Sequence, residues 1–320
     1  MNFYFYSRFD SGHRKEYIKY CEEELSGERL YMFSSFFKRK KIIFLMIEEC
    51  FLAYFFISII RSLFRMETYG LLFRGLEVIE KHSLRHRIKY FLLCILKCNP
   101  YIKTISIIPF FIAEKLDEIA DDWIFDIQFY DLDFFRRTAI DNVKEDIAIK
   151  VLPKLKLNGR KIICALGRQD INKGSKEFVR IYNEYESLRD KFIFVMAGAC
   201  SGISQSDCEK FESNGGILIN RNISNGELLR LYEISDLIWA CYSPKYNQSS
   251  GIFGRALQLN KMVIVRVGSV TEKICLSIDF DANLALKFPA TEDDIFKLNN
   301  TLIKYSKSNL MNKTLASVIE

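Results

Sequence analysis

Short apolar runs alternate with stretches of helical period along the chain, most regularly in its second half. Runs at Lys161–Leu166, Lys191–Ala197, Gly216–Ile219, Leu237–Cys241 and Met262–Val267 have the length and residue types of strands buried on both faces. Helical patterns cover Ser175–Leu188, Asn225–Ile234 and a segment ending at Leu259. The second of these opens with Ser224 and Glu227 in capping-box spacing. Strands and helices in this order predict a parallel sheet covered on both faces. The first half is less regular. A strand is expected at Asn2–Ser7, a turn at Asp10–His13 and a helix at Arg14–Leu25, which is how a nucleotide-binding α/β unit opens, although the full G-x-G-x-x-G is absent. Further strands are expected at Arg29–Phe33, Tyr69–Phe73, Thr104–Pro109 and Trp123–Phe129. Helices are expected over Lys41–Phe64, His82–Lys97 and from Thr291 onward.

A chain of 320 residues exceeds what one core holds comfortably, so two domains are expected. The junction should fall between Arg137 and Gly159, giving domains 1–145 and 146–290 and a helical tail, 291–320, packing back on the first. The opening MNFYFYSRFDSGHRK has no basic region followed by an apolar one, which predicts a cytoplasmic protein with its nine scattered cysteines reduced. The apolar run Ile42–Ile60 imitates a membrane span, but Glu48 and Glu49 interrupt it and the remainder is too short, so a buried helix is expected. Cys94 and Cys98, like His82 and His86, lack the tight pairing of structural metal sites, and no metal or other cofactor is expected.

Candidate chemistry gathers at loops that follow strands. In a parallel α/β sheet, ligands sit at the carboxyl ends of the strands. Ser249, Ser250 and Gly251 follow the run Leu237–Cys241 and open a helix, where unpaired N–H groups and the helix dipole suit a phosphate. Serine is also an ordinary N-cap, and the triplet alone leaves both readings open. Arg168 follows the run Lys161–Leu166, and Lys173 stands beside Gly174, so both cations are expected at the same sheet edge. An arginine can fork onto phosphate oxygens, and a lysine adds a point charge.

These pieces, ALGRQDINKGSKEF, FIFVMAG, RNISNGELLRLYEISDLIWACYSP and SSGIFGRALQLNKMVIV, resemble in order and spacing the nucleotide-sugar-binding domain of GT-B glycosyltransferases, family 4 in particular. The resemblance covers Lys161 to Ser269 and implies an α/β GT-B fold, two Rossmann-like domains facing across a cleft. It implies a hexosyltransferase of bacterial surface polysaccharide synthesis (O-antigen, capsule or exopolysaccharide) that retains anomeric configuration without a metal. Arg168 and Lys173 would clamp the donor diphosphate and stabilise the leaving group by fixed charge. Gly167 and Gly198 would line the donor site, Arg221, Asn222 and Ile223 match the loop that contacts the base, and Ser249, Ser250 and Gly251 would donate to phosphate or sugar. Many members carry two glutamates eight residues apart here. This chain has Asn247 and Arg255 instead, and Arg255 is expected to add a phosphate contact.

The first half would bind the acceptor. By position, Asp10, Gly12 and His13 match a loop facing the site, Gly12 and His13 as donor contacts and Asp10, with Arg74, as acceptor-side candidates; a surface turn is the alternative for His13. Asp131 and Asp133, like Asp279 and Asp281, form a D-x-D that is more often a solvated turn than a metal site. The net charge of +6 hides a window, 38–103, with 13 Lys and Arg against 5 Asp and Glu. Acceptors of bacterial relatives are often lipid-linked, and this window would attract anionic headgroups, the alternative being a solvated basic face. No nucleic-acid partner is expected, because no reading motif accompanies the charge. A non-catalytic nucleotide-sugar-binding or partner-binding protein of the same fold is the alternative function.

Overall fold

Every strand of the computed structural model is parallel to its neighbours, and the strands form two separate six-stranded sheets. The structure describes residues 3–10, 13–31, 36–81, 83–139, 150–152, 159–306 and 313–319. The chain divides into two units, Met1–Ile127 with Met311–Glu320, and Gln128–Leu310. The junction expected between 145 and 146 lies outside the described residues. Residues 128–139 belong to the second unit, and the terminal helix Leu315–Ile319 to the first.

In the first unit the strands are β1 (Tyr4–Tyr6), β2 (Glu28–Arg29), β3 (Ile42–Phe44), β4 (Thr68–Leu72), β5 (Ile102–Ser106) and β6 (Asp122–Trp123), ordered β2-β1-β3-β4-β5-β6. Phe5 pairs with Arg29 on one side and Ile43 on the other, so strand order reverses between β1 and β3. The apolar run expected as one helix is a strand followed by a helix. Ile42, Ile43 and Phe44 fill the sheet centre, Met46 turns left-handed at φ 53°, and a 3₁₀ turn over Ile47–Glu49 leads into the helix Phe51–Leu63. Consecutive β-branched residues fit the pleat, and the left-handed residue ends the strand. Arg61, counted above in the basic window, is fully buried. It donates to Thr68 Oγ1 at 2.9 Å, Lys40 O at 2.9 Å and Glu67 O at 3.0 Å, tying the approaches to β3 and β4 together. No helix among the described residues is long and apolar enough to cross a membrane.

The second unit holds β7 (Lys161–Leu166), β8 (Phe192–Ala197), β9 (Ile217–Ile219), β10 (Leu237–Ala240), β11 (Met262–Arg266) and β12 (Asn283–Leu286), ordered β12-β11-β10-β7-β8-β9. Counted within the unit this is the 3-2-1-4-5-6 order of dinucleotide-binding folds, and the reversal falls between β7 and β10. β8 is buried along its whole length, and Phe194 packs against Phe178 and Tyr182 at ring distances of 4.7 Å. Each such side chain contributes about 1.5–3 kcal/mol by leaving water. The expected helix Ser175–Leu188 is broken at Tyr185 into Ser175–Glu184 and Glu186–Lys191. β12 and the helices Gln205–Ser213 and Val270–Ser277 were not anticipated. All nine cysteines are free.

Candidate functional site

The loops after β7 and β10, on either side of the strand-order reversal, meet. After β7, Gln169 turns inward: its Nε2 donates to Gly167 O at 2.9 Å, and its Oε1 accepts from Ser175 Oγ at 2.8 Å. Asp170 caps the 3₁₀ turn Ile171–Lys173 by accepting from Asn172 N and Lys173 N at 2.9 and 3.1 Å. Gly174 follows at φ 70°, and a Cβ there would lie 2.3 Å from Cys241 O, so only glycine lets the two loops pass this closely. Ser243 N donates to Asn172 O at 3.0 Å and locks the crossing.

This crossing fixes Lys173. Its Nζ lies 3.4 Å from Ser250 Oγ, 4.3 Å from the centre of the Tyr242 ring and 4.1 Å from that of Tyr246. Burial pulls the ammonium pKa down, but the Tyr242 and Tyr246 phenols and the Asp170 carboxylate outweigh it, and the net shift is upward. Lys173 is therefore charged at neutral pH. Burial raises the Tyr242 phenol, which stays protonated and lies 2.8 Å from Ser250 Oγ. Ser250 occupies the N-cap position of the helix Gly251–Gln258, but its hydroxyl makes no capping bond and turns instead to Tyr242 and Lys173. Ser249 Oγ, one residue before, is buried and has no hydrogen-bond partner among the described residues. A cation, the Ser250 hydroxyl and the N-terminus of an eight-residue helix thus converge where an anion would be held.

The other predicted residues divide. Gly198, at φ 140°, ends β8 with its Cα so close to the β7 loop that a Cβ would lie 1.8 Å from Gly167 O. Gly167 and Gly198 thus sit side by side at this edge. Arg168 begins the same loop, but its side chain is 75% exposed and pairs with Asp170 at 3.5 Å, a contact worth about 0–1 kcal/mol. Gly251 was expected to admit a ligand to the backbone. Its open side is filled by the Gln128 amide, whose Oε1 lies 1.0 Å from where a Cβ would stand.

Three expected ligand contacts are engaged elsewhere. Arg255 is buried against the Asp131 carboxylate at 2.9 Å and lies 3.8 Å over the Phe135 ring, so it completes the packing under its helix and makes no phosphate contact. That pairing also corrects Asp131, which is buried rather than solvated, while Asp133 is exposed and does not converge with it. Arg221 forks onto Glu227 at 2.6 and 3.1 Å and donates to Asn222 O, beside Ile223 in the same turn. This fork, with the Ser224 capping box, holds the Glu227 carboxyl below the usual range. Asn247 Oδ1 accepts from Val270 N at 3.0 Å and from Arg266 Nη2 at 3.3 Å, bracing the turn after β11.

In the first unit, Asp10 and Arg74 are exposed; Arg74 caps the helix Gly75–Glu80 and donates its backbone N–H to Glu48 Oε1. Gly12 and the side chain of His13 lie outside the described residues, although His13 begins the helix His13–Glu23. Cys98 Sγ donates to Cys94 O and His86 bonds Ser83; His82 lies outside the described residues. Among the described residues no cluster of His, Cys, Asp and Glu could hold a metal ion. Sequence reasoning missed Tyr242 and Tyr246, visible beforehand only as aromatics flanking Pro244.

No protein-family model matches the sequence, and no curated protein matches it significantly. Solved structures do match in fold. Anabaena HepE, in complex with UDP, is 11% identical with a TM-score of 0.60, covering 93% of this chain and 88% of that one. WaaG, a glycosyltransferase involved in lipopolysaccharide biosynthesis, is 8% identical with a TM-score of 0.52 over 92% and 88%. A Burkholderia xenovorans trehalose-phosphate synthase, in complex with glucose-6-phosphate, is 10% identical with a TM-score of 0.52 over 82% and 67%. The chain has their GT-B fold, two Rossmann-like domains.

Proposed function

We propose that the protein is a glycosyltransferase of the family 4 kind, moving a hexose from a nucleoside diphosphate sugar to a glycan or lipid-linked acceptor in bacterial surface polysaccharide assembly. The observation that carries this reading is the Lys173 ammonium held against Ser250 at the N-terminus of the helix Gly251–Gln258, at the strand-order reversal of the second unit. The diphosphate would accept from Lys173, Ser249 and Ser250, with Arg168 swinging in from solvent. Fixed positive charge would stabilise the leaving diphosphate as its bond to the sugar breaks, without a metal and with retention at the anomeric carbon. The UDP held by HepE makes UDP the first probe. The first unit would bind the acceptor at the cytoplasmic face of an anionic membrane through the window 38–103.

Titration with uridine, guanosine, cytidine and thymidine sugar nucleotides, followed by assay of nucleotide release without acceptor, tests the reading. One donor should bind and slowly lose its sugar; Lys173→Ala should abolish transfer and Arg168→Ala should weaken it severely. Full activity in both variants sinks the clamp. A second reading, a binding protein of the same fold without catalysis, is favoured by Arg255, which stands where many family members carry a glutamate and is buried on Asp131. Binding of a donor with no nucleotide release at any enzyme concentration would select it.

A further inference from the structure

The strand order β3-β4-β5 runs in one direction, so the crossover helices Phe51–Leu63 and Leu84–Lys97 lie on the same face of the first sheet. They pack side by side there. The first helix buries Tyr54, Ile57, Ser58 and Arg61, and the second Leu93 and Leu96. On the opposite side each helix carries an apolar stripe. Leu52, Phe56, Ile60 and Leu63 recur at helical spacing on the first, and Leu84, Ile88, Phe91 and Ile95 on the second. All eight are between 39% and 76% exposed. At roughly 150–200 Å² for a whole large apolar side chain, they present on the order of 800 Å² to solvent. The largest apolar patch on a typical monomer is about 300–600 Å². One partner of a standard-size interface buries about 800 Å².

The charge beside the stripes changes sign from one end to the other. The first turn of the second helix reads Leu84-Arg85-His86-Arg87 and holds no acid. Cations at a helix N-terminus oppose the dipole, so the helix itself gives no reason for them. The turn Glu114–Glu118 lies against the other half of this helix: Glu118 accepts from the Tyr90 hydroxyl at 2.6 Å, and Lys97 Nζ donates to Asp117 O. Glu114, Asp117 and Glu118 are exposed there, beside Lys97 and Lys115. Two copies related by a twofold axis across the helix would set the basic end of each against the acidic end of the other. That is the reciprocal pairing of an isologous contact. An anionic bilayer would meet the acids as well as the cations, and none of the eight stripe residues is the Trp or Tyr that marks a membrane interface.

We propose that this face docks a second copy of the chain, the apolar stripes closing on one another with the two Leu84–Lys97 helices antiparallel. The stripes supply the area, and the sign change along the second helix fixes the direction. The inference is independent of the transferase reading. It assigns Arg85 and Arg87 to the dimer and leaves the basic run 38–41 to the membrane contact proposed above.

The test is sedimentation velocity of the full chain from about 0.1 to about 100 µM, since interfaces of this area span micromolar affinities and tighter. Wild type should reach twice the mass of one chain within that range. Ile88→Asp, at a half-exposed position, should weaken self-association about tenfold or more while keeping the circular dichroism spectrum and UDP affinity. The charge reversals Arg85→Glu/Arg87→Glu and Glu114→Arg/Asp117→Arg, all on exposed side chains, should each weaken it as well. An equimolar mixture of these two variants should dimerise as wild type does, because each basic end again meets an acidic one. A wild type still monomeric at the highest concentration overturns the proposal, as does a dimer untouched by Ile88→Asp. A mixture that associates no better than either variant alone overturns the antiparallel arrangement. Sedimentation with vesicles of phosphatidylcholine and phosphatidylglycerol covers the other occupant: binding by a monomeric wild type that Ile88→Asp abolishes gives the face to a membrane and overturns the dimer. Lys173→Ala should lose UDP and remain a dimer, so each reading fails separately.

Discussion

Replacing Ser249 by alanine separates folding from binding more cleanly than any other change at the site. Its hydroxyl is buried and without a partner among the described residues, which leaves it an uncompensated polar group. Such a group costs about 1–3 kcal/mol by mutational measures. Ser249→Ala removes that cost, and the ligand-free protein should gain up to about 1 kcal/mol, a rise of roughly 2–4 °C in the transition of a unit this size. A nucleoside diphosphate would lose one charge-assisted hydrogen bond, worth about 1.5–3 kcal/mol, or about 10- to 150-fold in Kd. Ser250→Ala is the control: its hydroxyl already bonds Tyr242 and Lys173, so its loss should lower both stability and affinity. Differential scanning fluorimetry reads the first quantity and calorimetric titration with UDP the second. If Ser249→Ala melts lower than wild type, the hydroxyl has a structural partner. If UDP affinity is unchanged, the hydroxyl does not face the phosphates.

Gly198→Ala should abolish soluble expression or lower the melting temperature sharply, because its Cβ would stand 1.8 Å from Gly167 O at φ 140°; a normal melting curve refutes the contact. Arg61→Met strips a donor from Lys40 O, Glu67 O and Thr68, and should cost about 3 kcal/mol in urea denaturation; a loss under 1 kcal/mol refutes the anchoring role. Arg255→Leu removes the cation from the buried Asp131, which keeps the Gln258 amide, and should cost about 3–5 kcal/mol, while Arg255→Leu/Asp131→Leu recovers much of it; strictly additive losses refute the pairing. The Glu227 carboxyl is held low by Arg221, so its stabilisation is complete above the ordinary carboxylate range and is lost as pH falls through the depressed value. Glu227→Gln should flatten the acid limb of the stability profile, and an identical profile refutes the linkage.

How legible the fold was depends on burial geometry. β7, β8, β10 and β11 were readable because strands buried on both faces are unbroken apolar runs bounded by turns. The run Ile42–Ile60 defeated the same logic. A central strand and a buried helix are both apolar throughout, and periodicity does not tell them apart; the break lies in the left-handed turn at Met46. β12 escaped because its pattern is only half-buried at Asn283, Leu284 and Ala285. At the candidate site, Lys173 and the two serines could be expected at one sheet edge because the loops that carry them leave β7 and β10. Arg255 was not readable, because its partner Asp131 is 124 residues away and no local pattern carries that pairing.

The strand order of each sheet reverses once, which is where ligands sit in open parallel sheets. In the second unit the loops beside the reversal cross, and they carry an ammonium between two phenol rings and a buried hydroxyl with no partner among the described residues. In the first unit the turn after β3 carries two buried carboxylate oxygens with no partner among the described residues. Ser58, Asp294 and Asn299 hold such atoms elsewhere, so the place at a reversal, and not the missing bond alone, singles these groups out. The Glu48 and Glu49 that first served to argue against a membrane span are the same carboxylates.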